Sequence, residues 1–128
     1  PLFRKLELLL KGVETDLPDG YIFTDSYGIK RESVRAKWWI NDSIPLNQAV
    51  IDTGVVDHIT EHVNGDDFPG YHHNEKPCFV GHYWWNGDPE PISHNIACLD
   101  YSVAKNGKLV AYRWQGEEQL TKDNFCWV

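Results

Sequence analysis

Residues 95–114 read NIACLDYSVAKNGKLVAYRW, and this stretch predicts the most regular part of the fold. Apolar and aromatic residues are dense over residues 95–103 and again over 108–114, which is typical of two strands. Asn106-Gly107 lies between them, and this dipeptide is the strongest short-range signal for a two-residue type I′ hairpin. The stretch therefore predicts two antiparallel neighbours joined by a tight turn.

The segments on either side extend this predicted sheet. Pro77 to Trp85 is typical of a strand, and its first part, Pro77 to Val80, is a continuous apolar run of the kind that is buried on both faces. Phe125 to Val128 can add an edge strand. We therefore expect an antiparallel meander in the second half of the chain.

The first half of the chain carries both helix and strand signals. Apolar residues at helical spacing, followed by Gly12, predict a helix over residues 2–11. Tyr21 to Thr24 is strand-like and Ser26-Tyr27-Gly28 marks a turn, so Ser33 to Trp39 is the expected return strand of a hairpin.

Between residues 40 and 70 the spacing of apolar residues becomes helical again, with steps of three and four. The residues concerned are Ala49, Val50, Ile51, Val55, Val56, Ile59 and Val63. They predict two short central helices divided at Gly54, followed by a polar surface loop over residues 64–76. The expected fold class is α+β, with an N-terminal helix and hairpin, central helices and a C-terminal antiparallel sheet in a single domain over residues 1–128.

Composition excludes several classes of function. The 128 residues include 12 Lys and Arg against 19 Asp and Glu, and the net charge of −7 disfavours nucleic-acid binding. No apolar segment approaches the ~20 residues of a membrane helix, and no signal-peptide pattern is present, so we expect no membrane partner and a cytoplasmic location. The three cysteines, Cys78, Cys98 and Cys126, are widely spaced and predict buried free thiols.

Six histidines raise the question of a metal site. His58, Glu61 and His62 satisfy the pattern H-x-x-E-H, in which two histidines one helical turn apart bind zinc. Such a site needs a third ligand from a distant helix, and the residues that follow look like loop and sheet. A solvated helix face is therefore the preferred interpretation here, and His72-His73 is interpreted as part of the surface loop.

His82 is the strongest single candidate. It follows the apolar run Pro77 to Val80 and Gly81, which places it where a strand ends, and ligand sites in layered α/β proteins favour that end of a sheet. The residues alone leave two interpretations open. His82 either binds a metal or a substrate, or it is a structural histidine beneath the aromatic cluster that follows it.

Several segments together resemble the C-terminal part of the calcineurin-like metallophosphoesterases. The nearest branch is the one related to diadenosine tetraphosphatase and to serine/threonine protein phosphatases. The resemblance rests on Gly81-His82-Tyr83-Trp84, Leu99-Asp100-Tyr101, Asn106-Gly107 and Leu109 to Arg113, and it extends upstream to Leu8 to Gly12 and Arg35 to Trp39.

The resemblance implies part of a β-sandwich fold and a metal-dependent hydrolase. Two divalent ions, Mn, Fe or Zn, would polarise a phosphomonoester or dinucleoside polyphosphate for attack by water. His82 would be a ligand of one ion, Arg35 would grip the phosphate with two donors, and Tyr83 would border the substrate. The substrate would be a phosphorylated small molecule or a phosphoprotein.

The departure from the family pattern limits what this chain can do. The family's other ligands come from D-x-H, G-D-x-x-D, G-N-H-E and a further His, and none of these motifs occurs; Gly65-Asp66-Asp67-Phe68-Pro69 lacks the second Asp. We therefore expect the C-terminal part of a longer enzyme, inactive alone, with no tightly bound metal and with the missing N-terminal part as its partner.

An alternative from another class is a small non-enzymatic binding module. In that interpretation Trp38, Trp39, Trp84 and Trp85 line an apolar groove for a peptide or a carbohydrate.

Overall fold

Short paired strands joined by irregular segments make up most of the structure, a computed structural model that describes residues 2–25, 27–51, 54, 56–64 and 67–128. The chain divides into two compact units, Pro1–Tyr71 and His72–Val128. The mixture of helix and small sheets agrees with the expected α+β class at this coarse level. The single-domain organisation stays a prediction.

The first unit begins with a helix and continues with short strands. Its elements are α1 (Leu2–Lys11), β1 (Glu14–Asp16), β2 (Phe23–Thr24), β3 (Lys30–Arg31), β4 (Ser33–Arg35), β5 (Ile44–Pro45), α2 (Leu46–Ala49) and β6 (His62–Val63). The predicted helix over residues 2–11 is confirmed, and Gly12 follows it with a φ of 84°. Glycine adopts this left-handed conformation without the steric cost of a Cβ, which explains why the helix ends there.

The predicted hairpin exists, but it closes earlier than expected. β2 pairs with β3, and the backbone amides of Tyr27 and Ile29 donate to the Asp25 carboxylate at 2.9 and 3.0 Å. This Asx-type capping makes a tight turn, so the return strand begins at Lys30. Ser26, part of the predicted turn, lies outside the described residues.

The segment predicted as the return strand belongs to another pair. β4 pairs with β1, which was not predicted, and Val34 lies opposite Thr15. The strand is also shorter than Ser33 to Trp39, because the chain turns at Trp38-Trp39. The predicted strand was therefore right in its type and wrong in its partner and its end.

The predicted central helices are present only in part among the described residues of this region, and Asp52 and Thr53, beside the predicted division at Gly54, lie outside those residues. In the described part of this region only α2 is an α-helix, and it has four residues. Its backbone donors bond across to the following segment: the Leu46 amide donates to the Glu61 carbonyl at 2.8 Å. Val56 and Ile59 are buried as the spacing suggested, yet they lie at the two ends of a turn that the Ile59 amide closes on the Val56 carbonyl at 2.8 Å, and β6 pairs with β5. Val55 lies outside the described residues.

Two small apolar clusters form the core of this unit. One contains Val34, Leu46, Val50, Val56 and Ile59, and the other contains Ala36, Ala49 and Phe68. Apolar spacing of three and four residues marked the buried positions here, but it did not require a helix to bury them.

The second unit contains a three-stranded antiparallel sheet and a separate parallel pair. Its strands are β7 (Cys78–Val80), β8 (Ile96–Cys98), β9 (Asp100–Tyr101), β10 (Lys108–Tyr112) and β11 (Phe125–Trp127). The sheet has the order β11-β10-β9, which confirms the predicted edge strand and the antiparallel pairing of the last strands; the strand predicted over residues 95–103 is divided into β8 and β9, and only β9 joins this sheet. Its core contains Ala97, Tyr101, Val110, Leu120 and Phe125.

The strand before the meander differs from its prediction in two ways. β7 pairs with β8 in parallel, and its residues are half-buried or exposed rather than buried on both faces. The fully buried strand is β8, whose residues Ile96, Ala97 and Cys98 have no exposed surface. The apolar run at Pro77 to Val80 therefore borders β8 instead of crossing the core.

The connection between β9 and β10 is longer than a two-residue turn. Lys108 pairs with Tyr101, so residues 102–107 form the loop, with a 3₁₀ turn at Val103–Lys105. Asn106 has the expected positive φ of 64°, but the Gly107 amide donates back to the Ser102 carbonyl at 3.0 Å. A Cβ at Gly107 would overlap the Tyr101 carbonyl oxygen, so the glycine serves close backbone packing rather than a type I′ turn.

The expectation of buried thiols holds for one cysteine in full. Cys98 is buried, Cys78 is half-buried and Cys126 is exposed. Burial raises the pKa of the Cys78 and Cys98 thiols, which keeps both protonated at neutral pH. Cys126 follows the buried Phe125 on β11, and successive side chains of a strand point to opposite faces of the sheet, so Cys126 lies on the exposed face.

Candidate functional site

His82 lies just beyond the carboxyl end of β7. The strand ends at Val80, Gly81 follows, and His82 is exposed with a φ of 68°. Trp84 also has a positive φ, of 48°. Non-glycine residues rarely adopt a positive φ, and this conformation is incompatible with an extended strand. The strand that was predicted from Pro77 to Trp85 therefore ends at Val80.

The two predicted substrate-binding residues lie in different units. Tyr83 follows His82 directly and is half-buried. Arg35 is the last residue of β4, lies opposite Glu14 and is also half-buried. Tyr83 therefore belongs to the second unit, as His82 does, whereas Arg35 belongs to the first unit.

The H-x-x-E-H pattern does not form the helical arrangement of a zinc site. His58 lies in a turn and His62 in β6, so they are not one helical turn apart. Ile59 is buried between them, and the His58 ring lies against the Tyr21 ring with centroids 5.5 Å apart. The expected helix is therefore absent at these residues. The expected exposure is present, because His58 and His62 are both exposed.

The described side chains do not by themselves form a metal centre. Within residues 2–25, 27–51, 54, 56–64 and 67–128, no three His, Cys, Asp or Glu side chains are grouped closely enough to hold an ion. The described residues thus do not fit a two-ion centre on their own. The exposed imidazole of His82 fits the narrower role of one ligand supplied to such a centre.

An open cleft of about 420 Å³ begins two residues after His82. We call it the Trp84 cleft, and its lining residues are Trp84, Trp85, Asn86, Gly87, Tyr101, Ser102, Asn106, Gly107, Lys108 and Val128. The segment after His82 forms one wall, the loop between β9 and β10 forms another, and the end of β11 contributes Val128. Its size is within the ~300–1,000 Å³ that is usual for small-molecule sites.

Unusual backbone conformations are concentrated at this cleft. Among the described non-glycine residues, those with positive φ are His82, Trp84, Ser102 and Asn106. Three of these four line the cleft, and the fourth is the histidine that precedes it. Such conformations cost of order 1–3 kcal/mol each and cluster at functional sites, where the surrounding structure holds them in place.

Two lysines connect the walls of the Trp84 cleft. The Lys105 ammonium lies 3.6 Å from the centroid of the Trp84 ring, a cation–π contact between the β9–β10 loop and the opposite wall. The Lys108 ammonium donates to the Gly87 carbonyl at 2.7 Å and to the Asp88 carboxylate at 3.0 Å. The Lys108 hydrogen bond and charge lower the pKa of Asp88, which favours its carboxylate form.

The four tryptophans of the binding-module alternative are divided between the two units, Trp38 and Trp39 in the first and Trp84 and Trp85 in the second. Trp84 and Trp85 line the cleft, whereas the Trp38 ring packs in the first unit against Trp39 and Tyr71, with centroids 5.4 and 5.8 Å away.

Sequence reasoning missed the polar side of the cleft. Asn106-Gly107 was the available signal for it, but we interpreted the pair only as a hairpin turn.

No protein-family model matches the chain, and comparisons with curated proteins and with solved structures also give no match. Among the described helices, none combines the length and the apolar character that crossing a membrane requires.

Proposed function

We propose that the chain is the C-terminal part of a calcineurin-like metallophosphoesterase and contributes His82 as a metal ligand. The observation that supports this most directly is the position of His82, an exposed imidazole just past the end of β7. The antiparallel strands β9 and β10 follow it, and they carry Asp100-Tyr101 and Leu109 to Tyr112 of the resemblance.

The bound ions, Mn, Fe or Zn, would supply the Lewis acidity and the activated water of such an enzyme. The role of this chain is narrower. His82 would donate the lone pair of a neutral imidazole, Tyr83 would border the substrate, and Arg35 would hold two phosphate oxygens through its planar guanidinium.

The other ligands would come from the missing N-terminal part of the same protein, which we propose as the partner of this chain. The substrate would be a phosphorylated small molecule or a phosphoprotein. The 128 residues alone would neither hydrolyse a phosphoester nor bind two ions tightly, because the sequence motifs that supply the other ligands do not occur in them.

Metal titration of the isolated chain tests the one-ligand role. A single imidazole should bind Mn²⁺ or Zn²⁺ weakly, and His82→Ala should remove that binding while His58→Ala should keep it. Tight binding of two ions per chain would contradict the proposal, and so would metal binding that survives His82→Ala unchanged.

The binding-module alternative is favoured by one observation, the Trp84 cleft. Its aromatic and amide lining and its volume suit a small polar ligand. A longer reading frame that carries D-x-H and G-N-H-E upstream of Pro1 would support the enzyme, whereas a start codon directly before Pro1 would support the module.

A further inference from the structure

We propose that the Trp84 cleft binds the sugar ring of a phosphorylated carbohydrate, so that the substrate is a sugar phosphate. This assignment rests on the proposed function for the phosphate end of the substrate. The sugar end rests on the cleft itself, which lies in the same unit as His82 and begins two residues after it.

The lining combines the two kinds of group that a sugar ring needs. The indole of Trp84 is 45% exposed and offers a flat apolar surface to the C–H groups of a pyranose ring. Asn86, Ser102 and Asn106 add two amides and a hydroxyl, each of which both donates and accepts hydrogen bonds. Vicinal sugar hydroxyls also donate and accept, so this lining complements them.

The cleft is held open by its own backbone and side-chain contacts. The Trp85 amide donates to the Asp100 carbonyl at 2.8 Å, which joins the first wall to β9. Lys108 bonds the Gly87 carbonyl, and Lys105 lies on the Trp84 ring, so both walls are fixed before a ligand arrives. Preorganisation of this kind reduces the entropy that binding would otherwise cost.

The local charge favours an anionic sugar. Lys108 is paired with Asp88, whereas Lys105 has no carboxylate partner in the part of the chain that the structure describes. Its ammonium is a positive charge beside the cleft without a carboxylate partner among the described residues, in a protein whose net charge is −7. A phosphorylated sugar should therefore bind more tightly than a neutral one, and the difference should shrink as salt screens Lys105.

Proton–nitrogen NMR titration of the 128-residue chain tests the proposal without any hydrolysis. Glucose 6-phosphate should bind with a Kd of about 1 mM, as typical ligand efficiencies suggest for a molecule of this size, and methyl glucoside should bind several-fold more weakly. The indole N–H signals of Trp84 and Trp85 should shift, while that of Trp114 should not, because Trp114 lies outside the cleft.

Three variants sharpen the test. Trp84→Ala should weaken glucose 6-phosphate binding at least tenfold, and Trp114→Ala should leave it unchanged, since Trp114 is another exposed tryptophan of the same unit. Asn106→Gly removes one amide but keeps a residue that tolerates the φ of 64°, so it should fold normally and weaken binding several-fold.

Three results would overturn the proposal. They are tighter binding of phenyl phosphate or adenosine than of glucose 6-phosphate, equal binding by the wild type and Asn106→Gly, and the absence of sugar binding at 10 mM ligand, about ten times the expected Kd. None of them bears on His82. Conversely, sugar binding together with a failed metal titration would overturn the proposed function and support the binding module.

Discussion

Asn95→Asp is expected to destabilise the second unit and to make its stability depend on pH. The Asn95 side chain is buried, with 1% of its surface exposed, and its amide group donates to the carbonyls of His72 and Glu75 at 2.7 and 3.0 Å. These two bonds fasten the loop before β7 to the start of β8. Aspartate has the same shape but, when ionised, has only acceptors to place against the two carbonyl oxygens.

The magnitude follows from these contacts. Each lost hydrogen bond contributes about 1 kcal/mol net, and a buried carboxylate whose one side-chain donor is the Ser93 hydroxyl, 3.4 Å from the Asn95 amide oxygen, adds about 1–3 kcal/mol, so the loss should be about 3–5 kcal/mol at pH 8. The buried carboxyl group would have a pKa above its unfolded value of about 3.9. Stability should therefore be regained as the pH falls through that raised pKa, because the protonated form donates one hydrogen bond again.

Urea denaturation at pH 8 and at pH 5, followed by tryptophan fluorescence, measures both effects. Asn74→Asp is the matched control, because Asn74 is an exposed residue of the same loop and should change stability by no more than ~0.5 kcal/mol. A loss below about 1 kcal/mol at pH 8, or a loss that does not shrink at pH 5, would refute the role assigned to Asn95.

Two further predictions concern the sheet of the second unit. Gly107→Ala should lower the free energy of unfolding by about 2 kcal/mol or more in urea denaturation, because its Cβ would overlap the Tyr101 carbonyl. Gly54→Ala is the control, because a Cβ at Gly54 meets no described atom within 4 Å, and its effect should be near zero. Equal effects of the two substitutions would contradict the packing described for the loop. The hydrogen bond from the Tyr112 hydroxyl, at 2.7 Å, is the main cause that lowers the pKa of Glu117 from 4.5 to about 2. The stabilisation by this carboxylate is thus present above about pH 4.5 and is lost as the pH falls towards 2. Glu117→Gln should lower the Tm at pH 7 and flatten the fall of Tm between pH 5 and 2, and parallel Tm curves would contradict this.

The predictable part of the fold is the part that local chemistry determines. The helix over residues 2–11 needs only its own spacing and Gly12, and the strands of the meander need only their apolar and aromatic residues. The edge strand β11 was also correctly placed. In these segments local preference and the final structure agree.

The errors occur where distant residues decide the local conformation. Val56 and Ile59 satisfied a helical pattern, yet the Ile59 amide closes a turn on the Val56 carbonyl at 2.8 Å, and the strand β6 begins three residues later. The apolar run before His82 satisfied the pattern of a buried strand, yet β8 occupies the core instead. A repeat of apolar residues indicates which residues are buried, and it does not specify the backbone that buries them.

The position of His82 at a strand end could be predicted from the sequence, whereas the Trp84 cleft next to it could not. Gly81-His82 indicated a residue at a strand end, and the structure places it there. The positive φ of Trp84 and Ser102 could not be predicted, because tryptophan and serine seldom adopt it and no local motif signals it. The cleft depends on those two conformations. It also depends on the contacts of Lys105 with Trp84 and of Lys108 with Gly87, which join residues far apart in the sequence.

The most direct test of the central claim is hydrolysis of p-nitrophenyl phosphate with Mn²⁺ by the longer protein that we propose to contain this chain. If His82 is a metal ligand, His82→Ala should lower kcat/KM by at least about 100-fold, more than the loss of a group that only orients a ligand. His58→Ala should retain activity and serves as the control. Full activity in the His82→Ala protein would contradict the account.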